Sequence, residues 1–441
     1  MFTAFTKSSQ TLMLKTIHNK YFYTGLSTGI VLVLAFFVLP DYLPANFRFD
    51  LKTDLASTTD KLAVSSTTKI AATNTPEIIK KVVTHIKTPE VVKGIYMTAC
   101  VAGTPSFRAK LLKLANETEI NTIVIDVKDY SGTISFAIDN PEFKDNAGGG
   151  CRARDMADFI ETLHQNNIYV IARITSFQDP YLAKIHPDWA VKTLSNKDVN
   201  WKDRKGISYI DAGNKNMWKY LADLGKESYA IGFDEINFDY IRFPSDGNMK
   251  DIYFPYSNSI LAANIAKPAM GTSTPAVKSG KSIVLRNFFE YLHKTLGEEA
   301  GIPISADLFG MTCTNYDDLN IGQVLEDAAP NFDFVAPMVY PSHYPSGFNG
   351  YKDVNAHPYD IVKFSMDFAV KRLKAIGLSP LKLRPWLQDN DYPVPYTPAM
   401  VRTQIQATYD AGLTSWMLWD AGNTYTQSAL KPNEIAAKTN P

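Results

Sequence analysis

The residues in this sequence most able to do chemistry lie in GFDEINFDYIRFPSDG, residues 232–247. Side chains alternate along a strand, so Ile236 and Phe238 share one face and Asn237 and Asp239 the other. With the apolar pair packed on outer helices, Asn237 and Asp239 point inward. Asp239 then sits at the strand's C-terminal end, with Arg242 just beyond. A carboxylate so placed can attack or stabilise an anomeric carbon, and a neighbouring guanidinium keeps it ionised. The structural alternative is an Asp–Arg pair that orders the strand end. The run IPISADLFGMT supplies a partner. Ser305 and Asp307 share a face there, and Asp307 lies near the top as a proton donor or base, or as a loop-ordering carboxylate.

Other segments offer side chains to bind what such a pair would act on. TIVIDVKDYSG turns Asp126 and Lys128 to one inward face. A buried carboxylate and ammonium are costly unless paired, so an ion pair coupled to Arg173 of YVIARITSF is expected, with substrate contact as the other use. FVAPMVYPSHY puts Tyr340 inward and His343 in the following loop, where both can hydrogen-bond a sugar. KLRPWLQDND presents Arg384, Trp386 and Gln388 on one face, and SWMLWDAG presents Trp419 and Asp420. Either tryptophan can stack on a sugar ring or fill a core. No HExxH, CxxC or paired histidines at ligand spacing occur, and no G-x-S-x-G elbow or phosphate loop, so neither a metal nor a cofactor is expected.

These side chains need a scaffold, and the chain from Lys93 onward alternates short β-rich runs with amphipathic helical stretches. The strands are expected at Gly94–Ala99, Thr122–Lys128, Ile168–Thr175, Asp234–Ile241, Ile304–Leu308, Phe334–Val339, Lys382–Leu387 and Ser415–Trp419. Helices are expected at Phe107–Glu119, Ala153–Asn166, Lys215–Ala230, Ser282–Ala300, Ile321–Ala328, Pro358–Ile376 and Pro398–Ala411. Eight strands with intervening helices predict an α/β fold, a single (β/α)8 barrel over 93–441. A doubly wound sheet is the alternative, but no glycine-rich phosphate loop follows the first strand. Two long loops, Ser176 to Asn214 and Pro244 to Gly280, follow strands three and four, where barrels build substrate clefts.

Ahead of the barrel, residues 21–39 read YFYTGLSTGIVLVLAFFVL, uncharged and long enough to span a bilayer. Lys7, Lys15 and Lys20 precede it. This predicts a cytoplasmic segment at 1–20, a transmembrane signal anchor at 21–39 and an extracytoplasmic barrel; a cleaved signal peptide is the competing reading. Residues 40–92, rich in Ser, Thr, Lys and Ala, read as a disordered tether. Lys plus Arg and Asp plus Glu both number 45, a balance that argues against a nucleic-acid partner. Three cysteines are too few for a disulfide scaffold. Cys100, Cys151 and Cys313 fall after strands one, two and five, and a bridge between two of them or free thiols are both open.

The segments GIYMTA, NTIVIDVKDYSGTISF, YVIARITSFQDPYLA, HPDWAV, WKDRKGISYID, GFDEINFDYIRFPSDG, SADLFGMT, PMVYPSHY, LRPWLQD and MLWDAG occur in this order. Through them the chain from about Lys93 to Tyr425 resembles the "putative glycosyl hydrolase" domain family of bacterial envelope proteins. The resemblance implies a (β/α)8 glycosidase-like barrel acting on envelope or extracellular polysaccharide. By likeness to amylase-type barrels it places the nucleophile at Asp239. The acid there is a Glu on strand five, where this chain has Asp307, and the Arg two residues before the nucleophile is replaced by Asn237. The expected site is therefore Asp239 and Asp307 as catalytic pair, with Asp126, Lys128, Arg173, Asn237, Arg242, Tyr340, His343, Trp386, Gln388 and Trp419 around the sugar. A non-catalytic polysaccharide-binding barrel and a metal-dependent hydrolase of acyl groups are the competing functions.

Overall fold

The computed structural model describes residues 83–147, 151–263 and 280–433. Eight parallel strands close into one barrel in chain order: β1 (Lys93–Met97), β2 (Thr122–Lys128), β3 (Tyr169–Thr175), β4 (Glu235–Asp239), β5 (Ile304–Phe309), β6 (Phe334–Met338), β7 (Trp386–Gln388) and β8 (Trp416–Trp419). Each strand overlaps an expected run, though β7 shares only Trp386 and Leu387 with the expected Lys382–Leu387, whose first residue closes a 3-10 turn at Pro380–Lys382. The helices agree too, with Lys215–Ala230 at the expected bounds. The helix expected at Ile321–Ala328 shrinks to Leu325–Ala328. Gly322, at φ 87°, and the turn that bonds Ile321 and Gly322 back to Asp318 occupy its first half. In the long loop after β4 the chain adds a helix at Asn258–Ala263; the rest of that loop, 264–279, lies outside the described residues.

Two cores follow from strand alternation. Outward residues such as Ile123, Ile125, Ile236, Phe238 and Leu418 pack against the helical shell. Inside the barrel, Val92, Tyr96, Val124, Tyr169, Ile171, Ala336, Tyr340, Trp386 and Met417 form a separate plug. The plug is bounded by polar layers. At the N-terminal end, Glu235 and Arg384 form a fully buried ion pair at 2.8 Å, and Tyr169 donates to Glu235 at 3.0 Å. The C-terminal layer is the candidate site.

The expected tether ends earlier than residue 92. Residues 83–92 run along the N-terminal end of the barrel, with a bend at Glu90 and Val91. Ile86 N donates to Asp234 Oδ1 at 2.7 Å, Val92 N donates to Ser415 Oγ at 3.0 Å, and Val92 is completely buried. His85 stacks on Tyr229 at 3.8 Å. Apolar Val92 and Ile86 close the open bottom of the plug, which a stretch read for composition alone does not reveal. The expected transmembrane segment 21–39 and the rest of the tether lie outside the described residues; among the described residues no helix is long and apolar enough to cross a membrane.

Candidate active site

Strand register sets the site. Asp126 of β2 lies level with Arg173 of β3, Arg173 with Asn237 of β4, and Asn237 with Ser305 of β5. Asp239 and Asp307 each sit one inward position higher. Arg173 therefore stands among three carboxylates. Its Nη1 donates to Asp126, its Nη2 and Nε donate to Asp239 Oδ2 (Nε at 3.1 Å), and Nε lies 3.7 Å from Asp307 Oδ2. Tyr96 donates to the other Asp126 oxygen. Tyr240 N donates to Asp239 Oδ1 at 2.5 Å. Asp307 Oδ1 accepts from Asn237 Nδ2 at 3.0 Å and Trp386 Nε1 at 2.8 Å.

Because one nitrogen contacts both, the Oδ2 atoms of Asp239 and Asp307 are no further apart than the sum of 3.1 and 3.7 Å. That limit reaches only the lower edge of the ~6.5–9.5 Å spacing of inverting glycosidases and contains the ~5–5.5 Å of retaining ones. The two carboxyls differ electrostatically. Burial, and then the charge of Asp239, push the Asp307 carboxyl up to about 8 against the opposing pull of Arg173, Trp386 and Asn237. Its Oδ1 accepts two N–H bonds, so the proton belongs on Oδ2. Asp239 instead holds the direct ion pair with Arg173. Burial works against the charge on Arg173, but Asp126 and Asp239 outweigh it and raise that group well above its ordinary value.

A cavity of about 230 Å³ opens above the pair. Asp239, Asp307, Arg173, Arg242, Tyr340, His343 and Trp419 of the expected set line it, joined by Tyr240, Phe309, Gln323 and Met338. Trp419 stacks on Tyr96 at 4.0 Å. Burial lowers His343 from its ordinary 6.5, so its imidazole is neutral at pH 7.

Several expected members stand elsewhere. Lys128 pairs with Asp179 at 2.8 Å and not with Asp126, both completely buried, and also donates to Thr175 O. The cause is a register shift between Asp126 and Lys128, opposite Arg173 and Ile174, which carries Lys128 out of the barrel's inward row. Asp126 binds Tyr96 and Arg173, so it positions the guanidinium. Trp386, 1% exposed, supports Asp307 through its indole N–H and meets Trp419 edge-on. Gln388 is fully buried and ties Ser342 Oγ to the Tyr392 carbonyl. Asn237 supports Asp307 and Ser305. The guanidinium beside Asp239 is that of Arg173; Arg242 bonds Phe243 O and Ser245.

Sequence reading missed Tyr96, although its inward register in GIYMTA is visible, and Gln323. Gln323 accepts from Phe309 N at 2.9 Å and donates to Ile241 O at 3.3 Å, joining the ends of β4 and β5 from a turn that carries no period. Cys100 and Cys151 form a disulfide joining the loops after β1 and β2, while Cys313 is free and buried. Among the described residues no cluster of His, Cys, Asp or Glu is arranged to hold a metal ion.

Among solved structures, the chain is similar to a hypothetical protein from Ruminiclostridium thermocellum ATCC 27405, at 29% identity over 48% of this chain and 96% of that one (TM-score 0.39). The PgaB (BpsB) glycoside hydrolase domain from Bordetella bronchiseptica matches at 13% identity over 76% of this chain and 95% of that one, with a TM-score of 0.54. The catalytic domain of a β-amylase from Paenibacillus polymyxa matches at 12% identity over 80% and 99%, with a TM-score of 0.48. No curated protein matches the sequence. At 13% identity the Bordetella likeness speaks to the fold alone. The sequence itself carries the assignment: residues 94–425 match the family model described as "Putative glycosyl hydrolase domain", and the chain belongs to that family.

Proposed function

We propose that this protein is a retaining glycoside hydrolase, with Asp239 as nucleophile and Asp307 as general acid and base. The observation that carries the reading is two carboxylates at one cavity in opposite settings: Asp239 bonded to Arg173, and Asp307 held protonated by burial and by its neighbour's charge. In the first step Asp239 attacks the anomeric carbon while Asp307 Oδ2 gives its proton to the glycosidic oxygen. The bond to the leaving group breaks and a glycosyl ester on Asp239 remains. Asp307, now a carboxylate, takes a proton from water as that water attacks the anomeric carbon. The ester bond breaks and both groups return to their starting states. Tyr340, His343 and Trp419 line the space for the sugar. The oxocarbenium-like charge of each transition state faces the acidic floor, where Asp126, Asp239 and Asp307 share one guanidinium.

The substrate class on this reading is an envelope or extracellular polysaccharide, and residues 21–39 anchor the chain so that the barrel stands outside the cytoplasm. The disulfide supports that side of the membrane, since such bridges persist in oxidising compartments.

Asp239→Asn is the direct test. The amide retains the volume and the Tyr240 N–H contact but cannot form the ester. Hydrolysis of a responsive glycan should fall by a factor of about 10⁴ or more, as a lost catalytic function costs, with near-UV circular dichroism unchanged. A variant with wild-type turnover removes Asp239 from the chemistry. Glycan binding that survives both Asp239→Asn and Asp307→Asn, with no cleavage by the wild type, leaves the binding-protein reading.

A further inference from the structure

The cavity holds two guanidiniums in opposite situations. Arg173 on the floor is committed to Asp126 and Asp239, with Asp307 close by. Arg242 at the wall is held by neutral groups only. Its Nη1 donates to the Phe243 carbonyl at 3.1 Å and to Ser245 Oγ at 3.3 Å, and its guanidinium carbon lies 5.3 Å from the centre of the Tyr240 ring. These contacts fix the side chain without cancelling its charge. Among the described residues no carboxylate pairs with it, whereas Arg108, Arg372, Arg384 and Arg402 are paired with Asp155, Glu326, Glu235 and Glu119. Both bonds are made by Nη1, so the edge formed by Nε and Nη2 is left without an acceptor among those residues.

The backbone is bent to deliver this group. Tyr240 has φ 51°, a left-handed conformation unfavourable for a tyrosine. It turns the chain directly after Asp239, and three residues beyond the nucleophile Arg242 joins the same cavity. Such strain at a cleft is retained where the surroundings enforce it. A charged guanidinium with one free edge presents two parallel N–H donors that match the two oxygens of a carboxylate. The floor, with Asp126 and Asp239 to one arginine beside the protonated Asp307, still carries excess negative charge and repels an anion, so an acidic substituent finds its place at the wall.

We infer that the sugar bound at this cavity carries a carboxylate, as a uronic acid does, and that Arg242 binds it through its Nε–Nη2 edge. This rests on the glycan-hydrolysing reading and narrows its substrate class to acidic polysaccharide.

The test uses the full chain and a panel of uronic-acid oligosaccharides of differing sugar and linkage, each beside the same oligosaccharide with its carboxyls reduced to alcohols. Binding is read by calorimetry and cleavage by product analysis. At least one acidic member should bind about tenfold or more tighter than its reduced twin, the scale of a lost charged hydrogen bond. Arg242→Gln should erase that difference, and Arg242→Lys should restore part of it. Reduced twins bound or cleaved as well as the acidic forms overturn the inference and leave the glycosidase reading standing. So does an Arg242→Gln loss that is equal for both, which marks a structural arginine. Sulfated glycans preferred over every uronate replace the carboxylate with a sulfate and also overturn it. A panel in which no member of either kind binds or is cleaved overturns both the inference and the reading beneath it.

Discussion

Asp307 is a carboxyl that the fold keeps protonated, and this sets two pH dependences. As general acid it must carry its proton, so kcat/KM should fall as pH rises through about 8. The stability effect has the opposite chemical origin but the same window. The folded group binds its proton up to about 8, while the unfolded one releases it near 3.8. Its contribution to stability is therefore full below 3.8 and is lost as pH rises towards 8. Asp307→Asn removes that loss, and its amide oxygen can still accept from Asn237 and Trp386. The variant should be inactive yet melt higher than the wild type at pH 8, by roughly 2–4 °C for each kcal/mol relieved, with the gap closing at pH 4. Calorimetric scans at both values decide it: a gap that does not change with pH contradicts the protonated acid. Arg173 has no such freedom, since removing it strands the buried carboxylates of Asp126 and Asp239.

At the level of elements, the alternation of strand faces explains both the core and the site. The even spacing that puts Ile236 and Phe238 against the helices puts Glu235, Asn237 and Asp239 in the interior, one at each level of the barrel. The same period fails at β2, where the irregularity beyond Asp126 lets Lys128 leave the inward row for Asp179. The segment 83–92 is an element that composition hides, because its hydrogen bonds go to Asp234 and Ser415, far along the chain. A chain starting at residue 93 should lose at least the ~1.5–3 kcal/mol that burying one valine contributes. It should retain kcat, because the segment lies at the end of the barrel opposite the cavity. Denaturant unfolding and turnover of the two lengths check this, and equal midpoints would show the segment to be only laid upon the barrel.

For the molecule as a whole, the Cys100–Cys151 bridge ties the loop after β1 to the loop after β2 across 51 residues of sequence. Closing a loop of that length restricts the unfolded chain and contributes about 2–5 kcal/mol. The bridge and the anchor proposed at residues 21–39 can be tested together. In cells quenched with a thiol-alkylating reagent, the protein should carry the bridge and remain in the membrane pellet after an alkaline wash. Alkylated Cys100 and Cys151 in a protein of the soluble fraction would place the barrel in the cytoplasm.

The sequence by itself determined the barrel, its eight strands, most of its helices and the inward set on β4 and β5, because these depend on local periodicity and on which face is apolar. It also determined the family, through long ordered motifs. Only the tertiary structure decided the partners. Which carboxylates Arg173 holds, where Lys128 goes, whether Trp386 supports Asp307 or faces a sugar, and which two cysteines join are all contacts between residues 47 to 79 positions apart. Such contacts are fixed by barrel closure and strand register. The charge left uncancelled on Arg242 belongs to the same class, since a residue's freedom from partners is visible only once every neighbour is in place.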